Sequence, residues 1–277
     1  MVEFLFEPLQ FAFIVRALAA AAIVGVVCSI LGTYVVLRGM AFFGDALAHT
    51  ILPGVVIAFL LGLPLAVGAL IFGIVTALGI GLLTDKGYLK EDTAIGVIFA
   101  GLFALGVAML SATGNYTVDL AHFLFGNLLA VSLSDLVVTA VLAFIVLLLV
   151  FLFYKELLVV SFDQVLAETL RIPTTFFRFL LLVLIAVTIV VSLQVVGIAL
   201  MLAMFVTPAA TASLLTRRLP TMMAVSAAIG VFSAISGVYV SFYLDIASGP
   251  SVVLIATLIF FVVFLFAPRR GIVWSRA

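Results

Sequence analysis

The run Gly44-Asp45-Ala46-Leu47-Ala48-His49 holds the residues best suited to chemistry. Asp45 and His49 stand four apart, so on a helix they project from one face, about one turn from each other. A carboxylate oxygen beside an imidazole nitrogen suits borderline divalent ions such as zinc, manganese or iron. The alternative is an internal Asp–His hydrogen bond that fixes helix packing. Asp119 and His122, three apart, form a second pair, and His49 and His122 are the two histidines of the chain. That pair reads either as an entry-side cation site or as surface polarity that meets another protein. Met201 and Met204 offer thioethers of the kind copper(I) accepts, but core packing is the stronger reading of them.

The elements that carry these residues follow from composition. Of 277 residues, 67% are apolar and 9% are charged, with a mean hydropathy of +1.53. A soluble domain carries roughly 25% charged residues, and a chain this apolar would cover its own surface with hydrocarbon. The solvent is therefore lipid. A helix of about 20 apolar residues crosses a membrane core of about 30 Å. Charged and turn-forming residues cut the chain into apolar blocks at 10–36, 42–62, 64–84, 93–112, 133–154, 175–194, 197–216, 221–244 and 251–268. An all-α polytopic protein of nine spans results, or eight if the chain near Gln194–Gly197 is a continuous broken helix. Runs such as 137–153 are continuously apolar, which disfavours a β-barrel. No Ser- or Pro-rich linker interrupts residues 1–277, which read as one transmembrane domain.

With nine spans, every basic residue except Arg16 falls in odd-numbered loops or at the C-terminus: Arg38, Lys86, Lys90, Lys155, Arg171, Arg178, Arg217, Arg218, Arg269, Arg270 and Arg276. The opposite side carries Glu3, Glu7, Asp119, Asp135 and Asp245. By the positive-inside rule the N-terminus is outside and the C-terminus cytoplasmic. The acidic start, Met1 to Glu7, is unlike the basic start of a signal peptide and reads as mature sequence. Zero net charge gives no nucleic-acid signal, and the single cysteine, Cys28, excludes an intrachain disulfide. Counting about 1.5 Å per residue from Arg38 puts His49 roughly 16 Å into the membrane, near its midplane. An ionisable residue there costs at least about 2.5–3.5 kcal/mol and is a functional candidate by default. Pro53-Gly54, one turn on, can bend the helix and free carbonyls beside the pair.

The loop at about 155–173 is the longest on the basic side. A helix capped by Ser161 would place Phe162, Val165, Leu166, Thr169 and Ile172 on one side. Asp163, Gln164, Ala167, Glu168 and Arg171 would then lie around the other. Such a stripe needs a partner, either lipid headgroups or another subunit. No Gly-x4-Gly-Lys-Ser/Thr motif occurs, so the chain has no P-loop for ATP, and no His-Glu-x2-His or Gly-x-Ser-x-Gly motif points to a hydrolase.

The run Leu37 to Gly54 (LRGMAFFGDALAHTILPG) closely resembles the membrane subunit of bacterial ABC importers for zinc, manganese and iron. Similar matches are Phe125-Gly126-Asn127, Phe162-Asp163, Val196-Gly197-Ile198, Thr207 to Ala212 and Ser248-Gly249-Pro250. The resemblance implies a homodimeric, type II-like permease of the cytoplasmic (inner) membrane. It implies no enzyme activity and no permanent cofactor. Two ATPase subunits would drive it, and an extracytoplasmic metal-binding protein would feed it. In that family the positions of Asp45 and His49 line the metal path, and the segment with Phe162, Asp163, Val165, Leu166 and Leu170 couples to the ATPase. Arg171 departs from the pattern, since Gly often stands there before Ile-Pro. The alternatives are a self-contained carrier or channel for divalent cations and a related permease for metal chelates.

Overall fold

The computed structural model describes residues 7–85, 89–113 and 128–267. Asp119, His122 and Phe125-Gly126-Asn127 lie outside them. Among the described residues nine helices are long and apolar enough to cross a membrane, and there is no strand. Helix α1 (Ala12–Leu37) leads to a broken second span, α2 (Phe43–Thr50) and α3 (Leu52–Leu60), followed by α4 (Leu65–Asp85), α5 (Glu91–Thr113) and α6 (Leu133–Leu152). Two short helices come next, α7 (Tyr154–Phe162) and α8 (Gln164–Thr169). The last spans are α9 (Thr174–Val196), α10 (Ile198–Leu215), α11 (Leu219–Leu244) and α12 (Ser248–Phe266). The choice between eight and nine falls to Gly197. Its φ of 79° and ψ of 171° belong to a region essentially reserved for glycine, so helical geometry stops there and α10 starts afresh.

The described chain forms two compact units. One takes in Met1–Val36, Phe125–Ala143 and Val195–Ala277. Within it α10, α11 and α12 pack on one another, and small residues bring α1 against α11. A Cβ on Gly25 would meet the Gly230 backbone at 3.2 Å, and the Ser226 hydroxyl donates to the Ser29 carbonyl at 3.0 Å. Membrane helices have no hydrophobic drive toward each other, so close backbone approach and such hydrogen bonds hold them. Met201 and Met204 are fully buried in α10, as packing residues would be.

The other unit, Leu37–Leu124 and Phe144–Gln194, carries the candidate pair. Here α4 packs on α3, and α5 packs on both α2 and α3. Gly54 and Gly68 are the contact between α3 and α4, since a Cβ on either would land on the other's carbonyl. The Thr76 hydroxyl of α4 donates to the buried Thr50 hydroxyl at 3.1 Å, which ties the end of α2 to the same helix. One expectation needs correction. Residues 38–42 are not helical, with Gly39 at a φ of 71°, so helical rise counts from Phe43 and not from Arg38. His49 then lies about 9 Å of helical rise from the start of α2.

Candidate functional site

Helix α2 is eight residues long, with Asp45 in its first turn and His49 in its last. Asp45 stands by the N–H groups of the helix N-terminus, an end that favours a carboxylate, and His49 lies one turn on. Phe43, Leu47, Ala48 and Thr50 are fully buried and hold α2 to its unit. The other face carries the pair, with the Asp45 side chain 48% and the His49 side chain 34% exposed. His49 Nε2 lies 3.6 Å from Asp45 Oδ1. That exceeds an ordinary hydrogen bond, which spans about 2.7–3.2 Å. An ion about 2.0–2.2 Å from both atoms would see this 3.6 Å separation under an angle of roughly 110–130°, a range that begins at the tetrahedral angle. The pair is therefore spaced as two donors of a coordination shell. Pro53, in the first turn of α3, has no N–H, so the His49 carbonyl lacks its i+4 donor and the Ile51 N–H turns toward it instead. Among the described residues no cluster of three or more His, Cys, Asp or Glu surrounds a single point.

Helix α5 supplies neighbours that sequence reasoning missed. The Phe99 and Phe103 rings lie 5.9 and 5.4 Å from the His49 ring and stack on each other at 5.7 Å. Below them a cleft of about 260 Å³ opens between α2 and α5, lined by Phe42, Asp45, Ala46, Asp92, Ile95, Gly96 and Phe99. The available signal was a helical stripe, Asp92, Gly96, Phe99 and Phe103, but nothing local says that this stripe faces α2.

A network of ion pairs was also missed. Arg38, just past α1, pairs closely with Glu91 at the start of α5. Arg178 of α9 places Nη1 3.9 Å from Asp85 and Nε 3.9 Å from Glu91, and the Thr175 hydroxyl donates to Asp85 at 3.3 Å. Two cations balance two anions drawn from four places in the chain, and both arginine side chains are nearly buried. Such a network fixes helix ends, because losing one member would leave a buried charge uncompensated.

The candidate coupling segment differs from its expected form. Ser161 lies inside α7, and the cap of α8 is Asp163, whose side chain accepts from the Leu166 N–H at 2.9 Å. Asp163 has the extended backbone that capping requires, whereas Ser161 is helical. Ala167, expected on the polar side, is fully buried, and the small side chain is what lets α8 lie against its own chain. Phe162, Val165, Leu166 and Leu170 remain exposed, Val165 by 75%. Helix α8 ends in a Schellman motif: Ile172 N–H donates to the Ala167 carbonyl at 3.0 Å and Arg171 N–H to Glu168 at 2.9 Å. The motif needs a left-handed residue, and Arg171 has a φ of 55°. Arg171→Gly should therefore steady this loop by about 1 kcal/mol, since a non-glycine residue in that region costs about 1–2 kcal/mol. Hydrogen exchange of the α8 amides is expected to slow about fivefold in the variant.

Span-length helices, buried small-residue contacts and a half-exposed Asp–His pair define the membrane subunit of a transporter. The chain matches the ABC 3 transport family over residues 10–267 and belongs to it. It is 46% identical over 266 residues to the manganese transport system membrane protein MntC of Halalkalibacterium halodurans, covering 96% of this chain and 91% of that one. It is 40% identical over 260 residues to the chelated iron transport system membrane protein YfeD of Yersinia pestis, covering 94% and 87%. The solved structure of PsaBC from Streptococcus pneumoniae in complex with Fab superposes with a TM-score of 0.85 at 36% identity, over 100% of this chain and 99% of that one. This chain is accordingly a multi-pass membrane permease of the ABC type.

Proposed function

We propose that this permease imports divalent transition-metal ions, manganese foremost, with Asp45 and His49 lining the path. The observation that carries the reading is the 3.6 Å Asp45–His49 pair on the half-exposed face of a helix inside a span-length segment. Ionisable groups are costly against lipid, so this face belongs on water or protein and not on lipid. A second copy of the chain is the partner that would cover it and complete the coordination shell. One carboxylate and one imidazole accept manganese, iron and zinc alike. Manganese is preferred because it is the cargo named for MntC, and iron is named for YfeD.

Energy comes from outside the chain, which has no P-loop. A dimeric cytoplasmic ATPase docking on the exposed residues of α8 would supply it, and an extracytoplasmic metal-binding protein would deliver the ion. The distribution of basic residues supports a topology with the N-terminus outside and the C-terminus in the cytoplasm.

Vesicles test this. The permease reconstituted with its ATPase and ATP should concentrate Mn²⁺ supplied by the binding protein, and the permease alone should not. Concentrative uptake by the permease alone under a proton gradient would make it a secondary carrier and end the ATP-driven reading.

A further inference from the structure

We infer that Asp92 is a second carboxylate of the metal path, which takes the ion from Asp45 across the cleft between α2 and α5. The inference rests on the proposed transport reading and adds a residue to it. Asp92, Gly96, Phe99 and Phe103 follow one another at helical spacing on α5, so they share a face. The upper end of that face carries the two rings beside His49, and its lower end carries Asp92. Asp45 and Asp92 line the same cleft from opposite helices. Gly96 lines the cleft beside both carboxylates, and an added Cβ there would meet nothing within 4 Å.

The cleft volume of about 260 Å³ exceeds the share of six waters at about 30 Å³ each, which is the shell of a hydrated divalent ion. Here an ion leaving the imidazole can regain water. An all-oxygen environment suits hard cations such as Mn²⁺ and holds borderline Zn²⁺ less well than nitrogen does. Two carboxylates balance the charge of the ion without binding it through nitrogen, which favours onward release.

The neighbouring Glu91 is engaged by Arg38 and Arg178, whereas Asp92 forms no ion pair among the described residues. Adjacent positions thus divide the work. Glu91 anchors the first turn of α5, and Asp92 is left to face the cleft. Both arginines that could compete with a cation for Asp92 are held by Glu91 and Asp85.

The test uses the permease with its ATPase in vesicles, with Mn²⁺ and Zn²⁺ as probes. Asp92→Asn, which keeps shape and removes charge, should lower the initial Mn²⁺ uptake rate by about tenfold to a hundredfold. Asp92→Glu should restore most of the rate. Asp92→His should raise the ratio of Zn²⁺ to Mn²⁺ uptake, which a purely structural role at the helix start would not move. Asp92→Asn uptake within about twofold of wild type, with Asp45→Ala silent, overturns the inference and leaves the transport reading standing. Should Asp92→Asn fail to assemble, an unchanged metal ratio in Asp92→His overturns it instead. Normal uptake in Asp45→Ala would remove the underlying site and the inference together.

Discussion

Asp45→Ala and His49→Ala should each silence metal uptake while the protein still assembles. Changes one shell removed from a metal commonly cost 10–100-fold in affinity or activity, so removal of a direct ligand is expected to cost about a hundredfold or more. Folding should survive, because both side chains lie on the half-exposed face of α2 and its buried face is made by Phe43, Leu47, Ala48 and Thr50, although His49→Ala also loses the contacts with Phe99 and Phe103. Asp45→Asn refines the test. It preserves volume and one acceptor oxygen but removes the charge, so a coordinating role predicts a loss close to that of Asp45→Ala. Metal uptake into vesicles, read beside the elution volume of the detergent-solubilised complex, separates the two effects. Wild-type uptake in both alanine variants would mean that the pair only fixes helix packing.

The second large effect is expected at α8. Phe162, Val165, Leu166 and Leu170 present apolar surface on the basic side of the membrane, and Ala167 points inward to hold the helix in place. Full burial of a side chain such as Phe or Leu is worth roughly 1.5–3 kcal/mol. Leu166→Asp or Phe162→Asp should therefore weaken ATPase docking about 10-fold to 100-fold, at 1.4 kcal/mol per factor of ten. Glu168→Ala, which removes no apolar surface, should do far less. Co-purification of the ATPase with each variant is the measurement. Equal recovery with Phe162→Asp, Leu166→Asp and wild type would assign this stripe to the lipid surface. Metal binding at Asp45 and His49 should survive these substitutions, because α8 lies outside the cleft lining.

The sequence by itself determined eight or nine spans, because a hydrocarbon layer leaves a helix no option but a long apolar run, and the backbone of Gly197 decided for nine among the described residues. It also determined that Asp45 and His49 share a face, since a four-residue spacing has that consequence on any helix. The exposed positions of α8 were legible in the same periodic way. Local chemistry decided less than expected at that helix. Ser161 and Asp163 are both able caps, and backbone geometry alone selected Asp163, while Ala167 turned inward because only a small residue allows the close fit. The placement of Arg171 in a left-handed turn was visible only as a departure from an expected glycine.

Only the tertiary structure brought Asp92, Phe99 and Phe103 to the Asp45–His49 face, or joined Arg38, Asp85, Glu91 and Arg178 into one network. These partners come from separate helices, and the helices are apolar on nearly every side. In water a polar face would mark which side of a helix turns outward. In lipid the outside is as apolar as the inside, so hydrophobic periodicity is lost, and neighbour choice rests on small residues, paired charges and backbone contact made across long stretches of chain.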